Sequence, residues 1–385
     1  MKRSTMLPNN GKIIPLCKAY IGEEESRAVQ EVLNSGWLTH GPKNIEFENS
    51  FAEYLGVKNA IAMNSCTSAL FLSILANNIK GEVLVPSFTF VASANAIVTA
   101  GAKPVFVDIN YNDCNIDASL LESYITSKTE AIMAVHYAGQ CCDMDRIMDI
   151  ANKHKLLVIE DSAETIGGTY KNLKSGSWGI GCYSFFPTKN ITTGEGGMLT
   201  TNDDALASRV KTLLGHGIDK TTAQRTGSKN SWYRAAVVPG YNFRMSNILA
   251  TLGVEQMKKV DKMNALRRQH SYHLIENLRD VEEIDLPVEN ADCRHVFQMF
   301  TLKVKNGERD NFVFYLKERG IEASVHFDPP VHLHPAYSEY KYSKLPVTEN
   351  VTNNILTLPM FPGMEENDLN YIVSTIKEYF ERPKP

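Results

Sequence analysis

Three groups of residues in this 385-residue chain have the types and spacing to do chemistry together. Lys189 follows the apolar run Gly181 to Phe186 through Pro187 and Thr188. The stretch Thr192-Thr193-Gly194-Glu195-Gly196-Gly197 behind it demands a tight backbone turn that several glycines permit. Glu160 and Asp161 close the β-rich run Leu156 to Ile159, which sets a carboxylate at the carboxyl end of a buried strand. That edge is where open α/β sheets bind ligands. Ser65-Cys66-Thr67-Ser68 precedes the apolar helical run Ala69 to Ala76, so hydroxyls and unpaired N–H groups gather at a helix start, where a phosphate binds. Taken singly, each group has a plainer reading: a surface lysine, a buried acid, a simple N-cap. Taken together they offer an amine for covalent catalysis, a fixed carboxylate and an anion seat.

The elements that position these groups read as alternating strands and helices. Strands are expected at Glu82 to Pro86, Lys103 to Val107, Ala131 to Val135 and Leu156 to Ile159. Helical spacing is found at Glu23 to Asn34, Asn44 to Leu55, Val91 to Thr99, Ala118 to Tyr124, Met144 to His154 and Asp204 to Leu214. This rhythm is that of an α/β protein with a mostly parallel sheet. Residues 218 to 239 lose periodicity and become polar, as a long functional loop would. Ser246 is expected to cap one long helix running to about Leu278, and the remainder suits a small α+β domain: strand-like Phe297 to Val304, helix Arg309 to Arg319, strand-like Ile321 to His326 and helix Glu366 to Phe380. A large domain over residues 1–255 and a smaller one over 256–385 follow, the first stretch of about 20 residues being free to pack with the smaller.

Asp161-Ser162-Ala163-Glu164, Ser184-Phe185-Phe186-Pro187-Thr188-Lys189 and the Thr192 to Gly197 turn resemble the active-site blocks of the DegT-like sugar aminotransferases. These are pyridoxal 5'-phosphate (PLP) enzymes of the aspartate aminotransferase fold, and the resemblance runs from about Ile14 to Phe380. It implies a seven-stranded type of sheet with helices on both faces. It also implies that Lys189 is the catalytic lysine and Asp161 the partner of the pyridine nitrogen. Ser65, Cys66, Thr67 and Ser184 would seat the phosphate, Cys66 replacing the family's usual glycine, and Phe90 would stack on the ring. Glu164 stands near the cofactor where many relatives carry histidine or glutamine. Gly240-Tyr241-Asn242-Phe243-Arg244-Met245-Ser246 resembles a block that reaches into a neighbouring subunit, where Asn242 would meet the phosphate, so a homodimer with shared sites is implied. Trp37, Thr39, His326 and His332 fall in loops that the resemblance puts near substrate, although Trp37 could equally anchor its own turn. A subset of the family carries histidine in place of the lysine and dehydrates its sugar, a branch that Lys189 speaks against.

Composition restricts the alternatives. A net charge of −4 gives no reason to expect nucleic acid or an anionic membrane as partner, and no run approaches a membrane helix. Seven cysteines without CxxC spacing, and no apolar leader in Met1 to Asn10, fit reduced thiols in the cytoplasm. His326, Asp328, His332 and His334 sit among prolines that forbid one helix face, so no metal is expected there. The glycine clusters at 176–181 and 194–197 fail the GxGxxG pattern of nicotinamide enzymes. The expected activity is transfer of an amino group, typically from L-glutamate, to a nucleotide-linked keto-sugar such as a 4-keto-6-deoxy-hexose. Lys220, Arg225, Lys229 and Arg234 are candidates to meet its diphosphate. A keto-sugar or phosphorylated ketone without nucleotide is the alternative acceptor; a PLP-binding regulatory protein is the alternative of another class.

Overall fold

The computed structural model describes residues 12–218, 232, 234–340 and 344–382. Its centre is a sheet of seven strands: β1 Asn59–Met63, β2 Glu82–Pro86, β3 Lys103–Val107, β4 Thr129–Val135, β5 Leu157–Asp161, and, beyond the short hairpin β6 Thr169–Tyr170 and β7 Leu173–Lys174, β8 Ile180–Ser184 and β9 Gly197–Thr201. The spatial order is β1-β9-β8-β5-β4-β2-β3. Only β9 runs against the others.

Successive strand side chains point to opposite faces, and here both faces are covered. In β1, Ile61 and Met63 join one core with the helices Cys66–Leu75, Ala92–Thr99 and Asp204–Leu214. Ala60 and Ala62 join another with the helices Pro42–Leu55 and Asn247–Met257. The near-continuous apolar runs in the sequence are the signature of such a doubly covered sheet.

A second core lies mainly beyond residue 260. It packs the helices Val260–Leu278, Arg309–Glu318 and Glu366–Glu381 against a small sheet of β10 Ile284–Asp285, β12 Phe300–Val304 and β13 Ile355–Leu358, while β11 Cys293–Arg294 pairs back onto β6. Ile14 belongs to this core and its backbone bonds to Gly320 and Glu322; Met360 N–H then donates to Leu16 O.

Three sequence expectations are corrected. The helix after Ser246 is not continuous: it ends at Met257 and restarts at Val260. The break carries Lys259 onto the buried carboxylate of Glu25 at 2.6 Å, a long-range ion pair that no local pattern reveals. Among the described residues Ile321 to His326 makes only isolated bridges, Ile321 with Ile14 and Ser324 with Thr357 on the outer edge of β13. Of Ala118 to Tyr124 only Leu121–Tyr124 is helical, because Asp117 folds the chain into a turn, accepting from Ser119 N–H.

Candidate active site

At one edge of the large sheet the carboxyl ends of the parallel strands and the start of antiparallel β9 come together. That edge brings Ser65 after β1, Thr89 and Phe90 after β2, His136 after β4, Asp161 on β5, Ser184 on β8 and Gly196 before β9 around one cavity of about 420 Å³. His326, Met299 and Met360, from the later part of the chain, close its other side together with Leu16 and Cys17 of the N-terminal segment.

Lys189 projects from the turn between β8 and β9. Its N–H donates to Phe186 O at 2.9 Å, and the turn behind it is locked by Phe185 N to Gly196 O and Thr193 N to Phe185 O, both 3.0 Å. The amine lies 3.1 Å from Glu164 Oε1, with the lysine side chain 16% exposed. Glu164 Oε2 accepts from Ala138 N–H at 2.9 Å, so the carboxylate is held from both ends.

Asp161 ends β5 with its carboxylate in the cavity wall. Oδ2 accepts from the Ser93 hydroxyl at 2.8 Å and Oδ1 from Ala163 N–H at 3.2 Å. Burial pushes the Asp161 carboxyl above its ordinary pKa of 3.8, and these two bonds, together with Lys189, counter the rise only partly. Glu160, its neighbour, points to the opposite face, where its carboxylate accepts from three backbone N–H groups, of Gly176, Trp178 and Gly179, and contacts His136 Nε2 at 3.0 Å. Cys142 N–H donates to His136 Nδ1, so Nε2 carries the ring hydrogen toward Glu160.

The anion seat is a helix start. Ser65 caps the helix Cys66–Leu75, its Oγ accepting from Ser68 N–H, and the N–H groups of Cys66 and Thr67 belong to the first turn, which has no intrahelical acceptor. Strand β9 passes hard against it. A Cβ on Gly197 would stand 2.3 Å from the Ser65 carbonyl carbon and 2.4 Å from Cys66 N, so only glycine fits there.

The structure thus brings together Ser65, Cys66, Thr67, Phe90, Asp161, Glu164, Ser184, Lys189 and His326. Phe90 is 61% exposed, its ring 6.1 Å from that of Phe327. His326 bonds to Thr357 Oγ1 through Nδ1, and burial, with Lys189 adding to it and Glu164 opposing, lowers its pKa. Four other expected residues lie elsewhere. His332 is buried off the cavity, its Nδ1 on the Ser87 hydroxyl, because the loop folds its ring inward against Phe106; the expectation that it meets substrate is corrected. Trp37 anchors its own turn, donating from Nε1 to His40 O, and Thr39 is exposed beside it. Asn242 is exposed, in a bridge with Gly215 and outside the wall of this chain's own cavity. Asp328 pairs with Arg309 and His334 with Pro329 O, so the histidine loop does not converge on one point. Of the loop cations, Lys220, Arg225 and Lys229 lie outside the described residues, and Arg234 is exposed. Ser93, His136 and Gln298 were missed by sequence reasoning; only Ser93, four residues after Thr89 on a helix start, carried a local signal.

These residues suit PLP. A buried carboxylate with no ion pair among the described residues suits a cationic ring nitrogen, a helix start cleared by Gly197 suits a phosphate, and a largely buried amine lines the same cavity. Such a set defines a PLP-dependent aminotransferase of the aspartate aminotransferase fold. The chain belongs to the DegT/DnrJ/EryC1/StrS aminotransferase family, whose model matches residues 19–377. It is 38% identical to the spore coat polysaccharide biosynthesis protein SpsC of Bacillus subtilis over 97% of this chain and 98% of that one. It is 40% identical to the GDP-perosamine synthase of Caulobacter vibrioides over 91% and 94% of the two chains. Among solved structures it is similar to Spr1654 from Streptococcus pneumoniae in its PLP form, with a TM-score of 0.89, 29% identity and coverage of 96% and 99%; a PMP form of the same protein is also similar. The chain is a PLP-dependent sugar aminotransferase.

Proposed function

We propose that this chain moves an amino group from L-glutamate to a nucleotide-linked keto-sugar, a 4-keto-6-deoxy-hexose in the simplest case, to supply an amino sugar for polysaccharide or glycoconjugate assembly. The observation that carries the reading is the 40% identity, across nearly both chains, to a synthase named for a GDP-linked sugar. The similarity to SpsC supports the polysaccharide end use.

PLP, when bound, supplies an aldehyde that captures the amino group and a conjugated ring that draws electrons from the donor's α-carbon. In our reading Lys189 would hold the cofactor through its amine and, with the donor bound, would take up and return the α-proton as base and acid in turn. Glu164 steadies that amine from 3.1 Å. Asp161 keeps the ring nitrogen protonated, its buried charge being strongest where water is excluded. The first N–H groups of the helix Cys66–Leu75, with the Ser65 and Ser184 hydroxyls, hold the phosphate, and Phe90 covers a ring face. Lys189 itself favours transamination over dehydration.

Asn242, exposed and off its own cavity, supports a homodimer in which each chain completes the other's phosphate seat. Seven free cysteines support a cytoplasmic site of action, and among the described residues no helix is long and apolar enough to cross a membrane. The test is a panel of keto-sugar nucleotides, plus free and phosphorylated ketones, offered with L-glutamate. Mass spectrometry should find an amino sugar nucleotide and 2-oxoglutarate in equal amounts. Product from non-nucleotide ketones alone would replace the acceptor class, and no turnover with any pair would leave only a PLP-binding regulatory role.

A further inference from the structure

The segment Val296–Met299, just before β12, grips the catalytic lysine from two sides. On the main-chain side, Gln298 Nε2 donates to the carbonyl of Thr188, the residue before Lys189, at 2.8 Å. On the amine side, Val296 N–H donates to Gly139 O at 2.9 Å and Met299 N–H to Ala138 O at 3.3 Å. Ala138 N–H in turn holds the Glu164 carboxylate that pairs with Lys189. The two turns fit tightly: Gly139 has φ +111°, and a Cβ there would come within 2.9 Å of the Gln298 and Phe297 nitrogens.

Gln298 is an expensive residue for this place. It is 4% exposed, and its Oε1 is buried without a hydrogen-bond partner among the described residues. A buried acceptor left unmet is costly, so an apolar side chain would serve packing better. Its one bond is to Thr188 O, which requires an N–H donor. The backbone of Gln298 is itself fastened by a buried cation: Arg267 Nη1 donates to Gln298 O at 3.2 Å and to Met360 O at 2.8 Å. Gln298, Met299 and Met360 all belong to the cavity wall.

The geometry points to Gln298 as a positioning residue for Lys189. It ties the lysine turn of the large sheet to the smaller core, with Arg267 as its anchor, so that placement of the amine depends on both halves of the molecule. The inference rests on Lys189 being the residue that binds PLP covalently.

The test uses the full-length holoenzyme with Gln298→Met, close in size but without a donor, and Gln298→Glu, which donates to Thr188 O only while its carboxyl is protonated. Borohydride trapping followed by peptide mapping comes first. Retention of the reduced adduct at Lys189 in both variants separates this inference from the lysine assignment, which an adduct elsewhere would sink instead. With Gln298→Met, kcat should fall about 10- to 100-fold, as for a misplaced catalytic group, with the donor KM held within about twofold. The pH midpoint of the bound cofactor's absorbance should move as well. Gln298→Glu should add a new pH step to that absorbance, near-normal on the acid side and Met-like on the alkaline side. A role in packing alone would lower the melting temperature and leave both pH profiles unchanged. Unchanged profiles, with kcat within about twofold of the parent, would overturn the proposal even if Gln298→Met melts early. Should Gln298→Met fail to fold, the presence or absence of the extra pH step in Gln298→Glu decides alone.

Discussion

Asp161→Asn separates the cost of the buried carboxylate from its use. The side chain is nearly isosteric, and its oxygen can still accept from Ser93 Oγ–H or Ala163 N–H, so the change removes charge more than shape. Burial raises the Asp161 pKa, so the folded chain binds this proton more tightly than the unfolded chain does. For such a group the stabilising contribution is complete in acid, below the ordinary value of 3.8, and is lost as pH rises through the raised folded value. Wherever pH leaves that carboxyl ionised in the cofactor-free protein, its buried charge weakens the fold. Cofactor-free Asp161→Asn should melt at or above the parent's temperature at neutral pH, with the gap closing in acid. The holoenzyme should show the reverse. Loss of a buried charge-assisted hydrogen bond to the ring nitrogen, about 1.5–3 kcal/mol, weakens PLP binding about 10- to 150-fold. Loss of a fixed charge at the reacting system lowers kcat by about 10²–10³. Differential scanning calorimetry of both forms, PLP titration by absorbance and single-turnover kinetics with glutamate read these effects. A variant that is less stable without PLP, yet binds PLP as tightly as the parent, would refute the reasoning.

Lys189→Ala should lose borohydride-trapped PLP and turnover while keeping its fold, and a reducible adduct still mapping to that turn would refute the assignment. Mixing inactive Lys189→Ala with inactive Asn242→Ala chains should regenerate activity by complementation; demonstrated subunit exchange without recovery would make a shared site untenable. Gly197→Ala, whose new methyl meets the Ser65 and Cys66 backbone, should cost about 1–3 kcal/mol and weaken PLP and inorganic phosphate alike, checked by denaturant melts and competition binding. His332→Ala should lower stability, because its ring is packed on Ser87 and Phe106, and leave the acceptor KM unchanged; a raised KM would return His332 to the substrate site.

The chemistry visible in the sequence was the part encoded locally. Asp161 and Lys189 announce themselves because a short apolar run fixes where each strand ends, and Ser65 because a helix start has a recognisable composition. The same locality explains the failures. His332 looked like a loop residue near substrate, and only the inward fold of the chain against Ser87 and Phe106 shows it as core. The break at Lys259 places its amine on Glu25, more than 200 residues away in sequence, and helical periodicity on either side of it is undisturbed. Apart from the local bond of Ser93 to Thr89, Ser93, His136 and Gln298 act through partners on other elements, so no short window of sequence contains both ends of those bonds.

The two acids at the end of β5 show what the fold adds. Strand alternation sends Glu160 and Asp161 to opposite faces, and their surroundings then diverge. Glu160 is surrounded by donors, three backbone N–H groups and a histidine, so its charge is settled within the protein and it fastens the loop after β7 to the sheet. Among the described residues Asp161 receives the Ser93 hydroxyl, one backbone N–H and the weak Cys66 thiol, and keeps a raised pKa, which leaves its charge for something that enters the cavity. Composition alone cannot rank two adjacent carboxylates. The ranking comes from counting donors on each face, and it makes Glu160→Gln a loss of stability where Asp161→Asn is a loss of cofactor.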